Sequence, residues 1–295
     1  MARTVIWRAL AGFVLAALAA AGNAQNNSAN RAAVQSPRIY VLDGGVLASE
    51  TARYRLTDAD VEEVSLSVAS YLIVHPRGVL MWDAGAVGDH ERIGAMGVEQ
   101  RLLRRDGQER FVKLAAALVS QLASAGYQPS DVTHLALSHY QWDHTADANL
   151  FASATWLVPQ AEHDAMFSAD PPGGTRPETY SALKNSRVTI ITQNEHDVFG
   201  DGTVIIKQAH GHTEGHMVLY VKLARTGGVL LSGDLYHYPA ERTLGRLPTF
   251  EVSEAETKAA REEVERFLSR TGAQLWIQHD LVAHRKLKKA PEYYD

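Results

Sequence analysis

Four β-rich runs of this chain each end in histidine or aspartate, and this pattern constrains the fold more than any other feature of the sequence. The clusters are His139-Tyr140-Gln141-Trp142-Asp143-His144, Gly211-His212-Thr213-Glu214-Gly215-His216, Ser232-Gly233-Asp234 and Gln278-His279-Asp280. A loop that leaves a strand can point several side chains at one spot, and neutral imidazole and carboxylate are good ligands for zinc and for harder first-row metals. A polar loop with solvated histidines is the alternative for the first cluster alone. The four clusters together predict a metal site built from strand ends.

The strands that carry these clusters alternate with two helices. Strands are predicted at residues 38–42, 65–74, 79–82, 133–138, 156–158, 188–192, 203–208, 217–223, 229–231 and 274–278. Apolar residues at three- and four-residue steps predict a helix over residues 108–125, which ends before Gly126. A capping box at Ser253 and Glu256 predicts a second helix that continues to about Arg270. The simplest packing is a single α/β domain of two sheets flanked by helices.

The amino-terminal residues have the pattern of a secretory signal. Two arginines precede an apolar run over residues 9–21, and small residues follow at 22–24. The run is shorter than the roughly 20 apolar residues that span a bilayer, so we expect a signal peptide over residues 1–24 rather than a membrane anchor. Residues 25–37 are expected to form a disordered lead-in, and residues 38–295 one domain. The mature protein is therefore expected to be periplasmic or secreted, without a membrane span.

Composition removes several other classes of function. The chain has no cysteine, so a disulfide framework, a thiolate zinc site and a cysteine nucleophile are excluded. Its formal net charge of -5 is small, which argues against a nucleic acid as partner. The expected partner is therefore a small molecule.

The order of the four clusters resembles the metallo-β-lactamase superfamily, whose pattern is an H-x-H-x-D-H run, a G-H-T-x-G-H, an aspartate after a strand and a late histidine. The resemblance covers residues 38 to about 284. It implies an αββα sandwich, in which two mixed β-sheets lie face to face with helices on the outer sides. It also implies a dinuclear ligand set: His139 and His212 for the first ion, Asp143, His144 and His279 for the second, and Asp234 as the bridge.

One position departs from this pattern, because Gln141 stands where the family has its second histidine. An amide oxygen is a weaker donor than imidazole toward zinc, so we expect Gln141 to make the first site looser or differently filled. The expected cofactor is one or two Zn²⁺ ions, with Fe, Mn or Co as alternatives.

A metal site of this kind predicts hydrolysis of an acyl group by metal-activated hydroxide. Asp143 is the candidate that passes the proton of the attacking water to the leaving group. Tyr236, His237 or Tyr238 is expected to donate a hydrogen bond to the developing oxyanion, with packing at the rim of the site as the alternative for each.

Within the superfamily, the segments at residues 38–45, 71–78 and 83–85 resemble the N-acyl homoserine lactonase branch. Metallo-β-lactamases usually have Cys or Ser where this chain has Asp234. The lactonase branch usually has Tyr three residues further on, where this chain has His237. The expected function is an exported metal-dependent hydrolase of lactones or esters. Two alternatives stay open: a periplasmic metallo-β-lactamase acting on β-lactam amides, and a non-catalytic protein whose degenerate site is marked by Gln141.

Overall fold

The structure is a computed structural model that describes residues 34–88, 99–103 and 107–295. The predicted signal peptide and residues 25–33 of the predicted lead-in lie outside this part. Val34, within the range predicted as lead-in, is buried against the core. Among the described residues, no helix combines the length and the apolar character needed to cross a membrane.

The described residues form strands and helices with the following bounds. The strands are β1 (Arg38–Leu47), β2 (Leu66–His75), β3 (Gly78–Trp82), β4 (Glu99–Leu103), β5 (Glu109–Lys113), β6 (His134–Ala136), β7 (Thr155–Pro159), β8 (Arg187–Ile191), β9 (Glu195–Asp197), β10 (Val204–Gln208), β11 (Met217–Leu223), β12 (Gly227–Leu231) and β13 (Gln274–Trp276). The α-helices are α1 (Leu118–Ser124), α2 (Trp142–Thr145), α3 (Gln160–Met166), α4 (Pro177–Tyr180), α5 (Pro239–Leu244), α6 (Glu254–Thr271) and α7 (Leu281–Lys286).

These strands make two mixed sheets that pack face to face, as the sequence predicts. The larger sheet has the order β4-β5-β1-β2-β3-β6-β7-β8 and the smaller one β13-β12-β11-β10-β9. Alternate residues of facing strands, such as Ile73 of β2 and Leu219 of β11, fill one apolar layer between the sheets. The outer face of the larger sheet is covered by α1, and that of the smaller sheet by α6. The αββα sandwich is confirmed.

The site lies at one edge of this sandwich because of two parallel strand pairs. Strands β3 and β6 are parallel neighbours in the larger sheet, and β12 and β13 are parallel neighbours in the smaller one. The carboxyl ends of parallel neighbours lie at the same edge of a sheet. The loops after these strands carry Asp83, the cluster from His139 to His144, Asp234 and His279, so each pair delivers two of them together.

The helix predicted over residues 108–125 is wrong in its first half. Residues 109–113 form β5, which pairs with β4 and with the end of β1, where Leu47 faces Val112. Val112 is buried while its neighbours on both sides face outward, so this segment also satisfies the two-residue period of a strand. Pairing with the open edge of β1 therefore overrides the helical spacing. Only Leu118–Ser124 is helical, and it ends before Gly126 as predicted.

The second predicted helix is confirmed as α6, which connects to the site through its first turn. Ser253 accepts a hydrogen bond from the backbone N–H of Glu256, and its own N–H donates to the carbonyl of Gly211 (2.8 Å), beside His212. Gly272 ends the helix in the left-handed conformation, with a φ of 68°.

We expect Ser253→Ala to lower the free energy of unfolding by about 1 kcal/mol, because one N–H at the start of α6 loses its acceptor. Urea denaturation followed by far-UV circular dichroism measures this. Ser253→Asp, which keeps an acceptor oxygen at this position, is the matched control and should stay close to the parent protein. Equal losses in both variants would contradict the capping role.

Candidate metal centre

The Asp234 carboxylate, at the end of β12, lies between two groups of imidazoles. On one side, its Oδ1 lies 3.0 Å from Nε2 of His144 and 2.9 Å from Nε2 of His279. Oδ2 of Asp143 completes this side, at 3.9 Å from Nε2 of His144 and 3.8 Å from that of His279. The resemblance assigns the second ion to Asp143, His144 and His279, and the structure brings these three side chains together.

The other carboxylate oxygen, Oδ2 of Asp234, faces a second group. Nε2 of His139 lies at 3.6 Å and Nε2 of His212 at 3.5 Å. Nε2 of His237 is closer, at 3.0 Å. The structure therefore brings together the two histidines assigned to the first ion, and it adds His237, for which the sequence predicts a role as oxyanion donor.

The imidazoles point their Nε2 atoms inward because acceptors hold their Nδ1 atoms from outside. The contacts are Nδ1 of His144 to Oδ2 of Asp83 (2.9 Å), of His212 to Oε1 of Glu251 (3.0 Å), of His139 to Oγ of Ser138 (3.0 Å) and of His279 to the carbonyl of Ser67 (2.6 Å). Such outer contacts set the tautomer and the orientation of histidines that bind metals. The cluster therefore presents its donor atoms to one shared space.

A cation is the simplest partner for the atoms that face this space. Within the described residues, the buried Nε2 atoms of His139, His144 and His212, with Oδ1 of Asp234, make no hydrogen bond. Buried polar atoms without a partner are rare, since each one costs about 1–3 kcal/mol. Neutral imidazole and carboxylate are also the donor set for Zn²⁺ and other first-row ions, so these residues fit a divalent metal.

The charges of the cluster couple metal binding to pH. Burial opposes the charge on Asp234, yet the surrounding imidazoles, His279 first, hold the pKa of its carboxyl well below the usual range. Burial also opposes the charge on His237, but Asp234 and then Glu241 raise the pKa of its imidazole to about 10. Without a cation His237 therefore carries a proton, which a metal must displace.

Asp83 supports the site from behind, although in the sequence it stands out only as part of the segment at residues 83–85 that resembles the lactonase branch. Its Oδ2 accepts hydrogen bonds from Nδ1 of His144 (2.9 Å) and Nε2 of Gln278 (2.6 Å), and its Oδ1 accepts one from the N–H of Ser138 (2.6 Å). The residue is completely buried and has a φ of 60°. This strained conformation costs about 1–3 kcal/mol and is kept where surrounding contacts determine it. The clue in the sequence is an aspartate directly after β3, at the same edge as His139.

A further buried side chain, that of Glu162, joins two loops of the site. The Glu162 carboxylate accepts hydrogen bonds from the N–H of Tyr140 (2.6 Å), the hydroxyl of Thr213 (2.8 Å) and the N–H of Gly215 (2.8 Å). Burial raises the pKa of Glu162 to about 8, although these hydrogen bonds act in the opposite direction. No sequence motif identifies Glu162, because its partners belong to two separate loops.

His216 is buried behind the loop that carries Asp234 and supports the backbone of that loop. Its Nδ1 lies 2.9 Å from the carbonyl of Ala209, and its Nε2 accepts the N–H of Asp234 at 2.9 Å. Burial, followed by His212, lowers the pKa of His216 to about 3, so the ring is neutral and can accept at Nε2. A Cβ at Gly233 would lie 2.6 Å from this Nε2 atom, and the φ of Gly233 is +50°, so glycine alone fits beside it.

Two predicted residues lie apart from the donor atoms. The hydroxyl of Tyr236 donates to Glu265 of α6 (3.1 Å), and its ring packs under α6 on the outer face of the smaller sheet. This placement does not fit donation to an oxyanion. The hydroxyl of Tyr238, weighed for the same role, donates to the carbonyl of Val64.

An open cleft of about 320 Å³ is lined by four members of the donor cluster: Asp143, Asp234, His237 and His279. Gln141 and Asp143 line the cleft on the side of α2, next to His237 and His279. Its walls include apolar side chains from five different segments: Leu47, Leu66, Phe111, Trp142 and Phe250. Phe111 belongs to β5, so the segment that the sequence analysis assigned to a helix forms part of the cleft.

Comparisons with known proteins agree with this geometry. The family model described as the metallo-beta-lactamase superfamily matches residues 65–270. The N-acyl homoserine lactonase AttM of Azorhizobium caulinodans is 28% identical over 268 residues, which cover 88% of this chain and 98% of AttM. The N-acyl homoserine lactonase AiiA of Bacillus thuringiensis subsp. kurstaki is 22% identical over 265 residues, which cover 87% of this chain and 98% of AiiA.

Solved structures share the fold. A mutant of AiiA from B. thuringiensis, with N-decanoyl-L-homoserine bound at the active site, superposes with a TM-score of 0.73 at 19% identity, covering 88% of this chain and 100% of that one. AidC, described as a dizinc quorum-quenching lactonase, superposes with a TM-score of 0.64 at 16% identity, covering 89% of this chain and 95% of that one.

We expect Asp83→Asn to weaken metal binding by about 10–100-fold, because Nδ1 of His144 loses its charged acceptor. Asparagine tolerates the positive φ, so the backbone should be kept. Competition with a chromophoric chelator measures the affinity. The control is Asp164→Asn, which removes an exposed carboxylate on α3 and should leave the metal affinity unchanged. Unchanged affinity in Asp83→Asn would remove Asp83 from the metal centre.

Proposed function

Because the chain belongs to the metallo-β-lactamase superfamily and is a metal-dependent hydrolase, we propose that it opens the lactone ring of N-acyl homoserine lactones or closely similar cyclic esters. The observation that carries the proposal is that four members of the donor cluster line a cleft with partly apolar walls. The 28% identity to AttM over 88% of the chain supports the same substrate class.

The proposed cofactor is Zn²⁺ at one or both sides of Asp234, with Fe, Mn or Co as alternatives that the same donors accept. A bound cation supplies a polarised carbonyl oxygen and a water molecule that is nucleophilic at neutral pH. AidC is described as a dizinc lactonase, which supports a dinuclear centre.

Asp143 is the proposed proton carrier. Its carboxylate lines the cleft, and Oδ1 makes no hydrogen bond to the described part of the chain. This oxygen can take the proton of the attacking water and return it to the ring oxygen that leaves when the lactone opens. The other carboxylate oxygen of Asp143, Oδ2, faces the Nε2 atoms of His144 and His279.

The cleft accounts for the proposed acyl part of the substrate. Phe111 and Phe250 contribute aromatic surface, and Leu47 and Leu66 contribute aliphatic surface near the donor cluster. A buried methylene group contributes about 0.8 kcal/mol. Longer acyl chains should therefore bind more tightly until they reach the end of the cleft.

The test is a substrate panel with metal-loaded protein lacking residues 1–24. Ring opening of N-acyl homoserine lactones of several chain lengths is followed by acid release, beside a thioester and the β-lactam nitrocefin. We expect turnover of lactones, with nitrocefin unchanged, and a fall of about 10²–10⁴-fold in Asp143→Asn because the proton carrier is lost.

Two results would contradict this proposal. One is that no lactone of any chain length is hydrolysed by protein with a full metal content. The other is that Asp143→Asn hydrolyses lactones as fast as the parent protein. Turnover of nitrocefin alone would assign the chain to β-lactam hydrolysis instead.

The proposed place of action is outside the cytoplasm, on the strength of the signal-like pattern over residues 1–24. We expect the full-length chain, expressed in a Gram-negative host, to appear in the periplasm or the medium with Gln25 as its first residue, which amino-terminal sequencing detects. The control lacks residues 2–24 and should stay in the cytoplasm. Full-length protein confined to the cytoplasm would contradict export.

A further inference from the structure

On the Oδ2 side of Asp234 lies the imidazole of His237, which belongs to none of the metal-ligand positions of the family pattern. Nε2 of His237 lies 3.0 Å from Oδ2, closer than Nε2 of His212 at 3.5 Å. Donor atoms of His212, Asp234 and His237 all lie within 4.8 Å of one another, which is a spacing suited to a metal ion. With His139 at 3.6 Å, this side offers three imidazoles and one carboxylate, the number of donors that Zn²⁺ takes in a tetrahedral site.

The His237 ring is held in the orientation that a ligand needs. Only 2% of the residue is exposed, and its ring lies parallel to that of His279 with centroids 5.4 Å apart. The ring makes its hydrogen bond through Nε2, to Oδ2 of Asp234, while on the outer side Nδ1 lies 3.4 Å from Oε2 of Glu241, an ion-pair distance without a hydrogen bond. Glu241 is itself held by the N–H of Tyr238 (2.9 Å) and by Nη2 of Arg261 (3.2 Å). A carboxylate behind the imidazole is the usual support of a histidine that binds metal.

Gln141 is placed differently. It is only half-buried, and its side chain runs beside Gly174: the Cγ, Cδ and Nε2 atoms would all lie within 3.9 Å of a Cβ at residue 174. The side chain therefore follows the wall of the cleft at the start of α2. The chain thus lacks the second histidine of the run but has an imidazole on the opposite side of the same site.

We infer that His237, with His139, His212 and Oδ2 of Asp234, forms the first metal site, and that its imidazole replaces the ligand missing at Gln141. This inference rests on the proposed function only in requiring that the cluster binds metal. The first metal site then has three imidazole ligands and no amide ligand. It also gives His237 a role as ligand in place of the predicted role as oxyanion donor.

A cobalt experiment tests the assignment directly. The chain contains no cysteine, so His237→Cys introduces its only thiolate. A thiolate bound to Co²⁺ produces an intense sulfur-to-cobalt charge-transfer band in the near ultraviolet. We expect this band in cobalt-loaded His237→Cys and not in the matched variant Gln141→Cys. A folded, cobalt-loaded His237→Cys without the band, or a band in Gln141→Cys, would overturn the assignment.

Metal content gives a second test, in which the decisive variant, Gln141→Ala, leaves residue 237 unchanged. The protein is loaded with Zn²⁺, dialysed against a mild chelator and measured by elemental analysis. We expect Gln141→Ala to retain as much zinc per chain as the parent protein. We expect His237→Ala to lose affinity at one site by more than the roughly 10–100-fold that loss of an outer contact costs. Loss of zinc in Gln141→Ala would overturn the inference.

Neither measurement uses a substrate, so the two proposals can fail separately. Protein that shows the cobalt band but hydrolyses no lactone would keep the metal site and remove the proposed activity. Protein that hydrolyses lactones while His237→Cys lacks the band would keep the activity and remove this ligand.

Discussion

The Asp234 carboxylate is buried, and five imidazole Nε2 atoms lie 2.9–3.6 Å from its oxygens. Burying ionised groups costs several kcal/mol for each ion, and attraction offsets this only where the geometry is good and the remaining polar atoms have partners. Several inward-facing atoms of this cluster have no such partner among the described residues. A divalent cation bound beside Asp234 would give these atoms a partner and would offset part of the cost of burying the charges.

The same edge of the sandwich joins the two sheets. The N–H of Met217 donates to the carbonyl of Ser138 (2.9 Å), and the N–H of Ser67 donates to the carbonyl of His279 (3.1 Å). Gln278 adds a side-chain hydrogen bond to Asp83 (2.6 Å). Each bond connects a strand or loop of one sheet to a strand or loop of the other. A ligand that binds only the folded state stabilises it, so metal binding at this edge should also strengthen the contact between the sheets.

The errors of the sequence-based interpretation have a common cause, which is that each depends on contacts with segments that are distant in the sequence or on the face of the backbone that a side chain takes. Residues 109–113 satisfy both a helical and a strand period, and the free edge of β1 decided between them. The hydrogen-bond partners of the Asp83 carboxylate lie 55 or more residues away in the sequence. Glu162 connects two loops that no local pattern relates. Tyr236 and His237 are neighbours in the chain, yet they lie on opposite faces of the backbone, one against α6 and one beside Asp234.

The sequence by itself determined the chemical class of the site, since strand ends rich in His and Asp in this order specify imidazole and carboxylate ligands, and it determined the two-sheet sandwich. The register and parallel pairing of the strands decided which side chains meet. They placed Asp83 behind His144, turned Gln141 along the wall of the cleft beside Gly174 and brought His237 to the first metal site. Local patterns specify residue types and periods, whereas distances between donor atoms arise only when remote strands pack together.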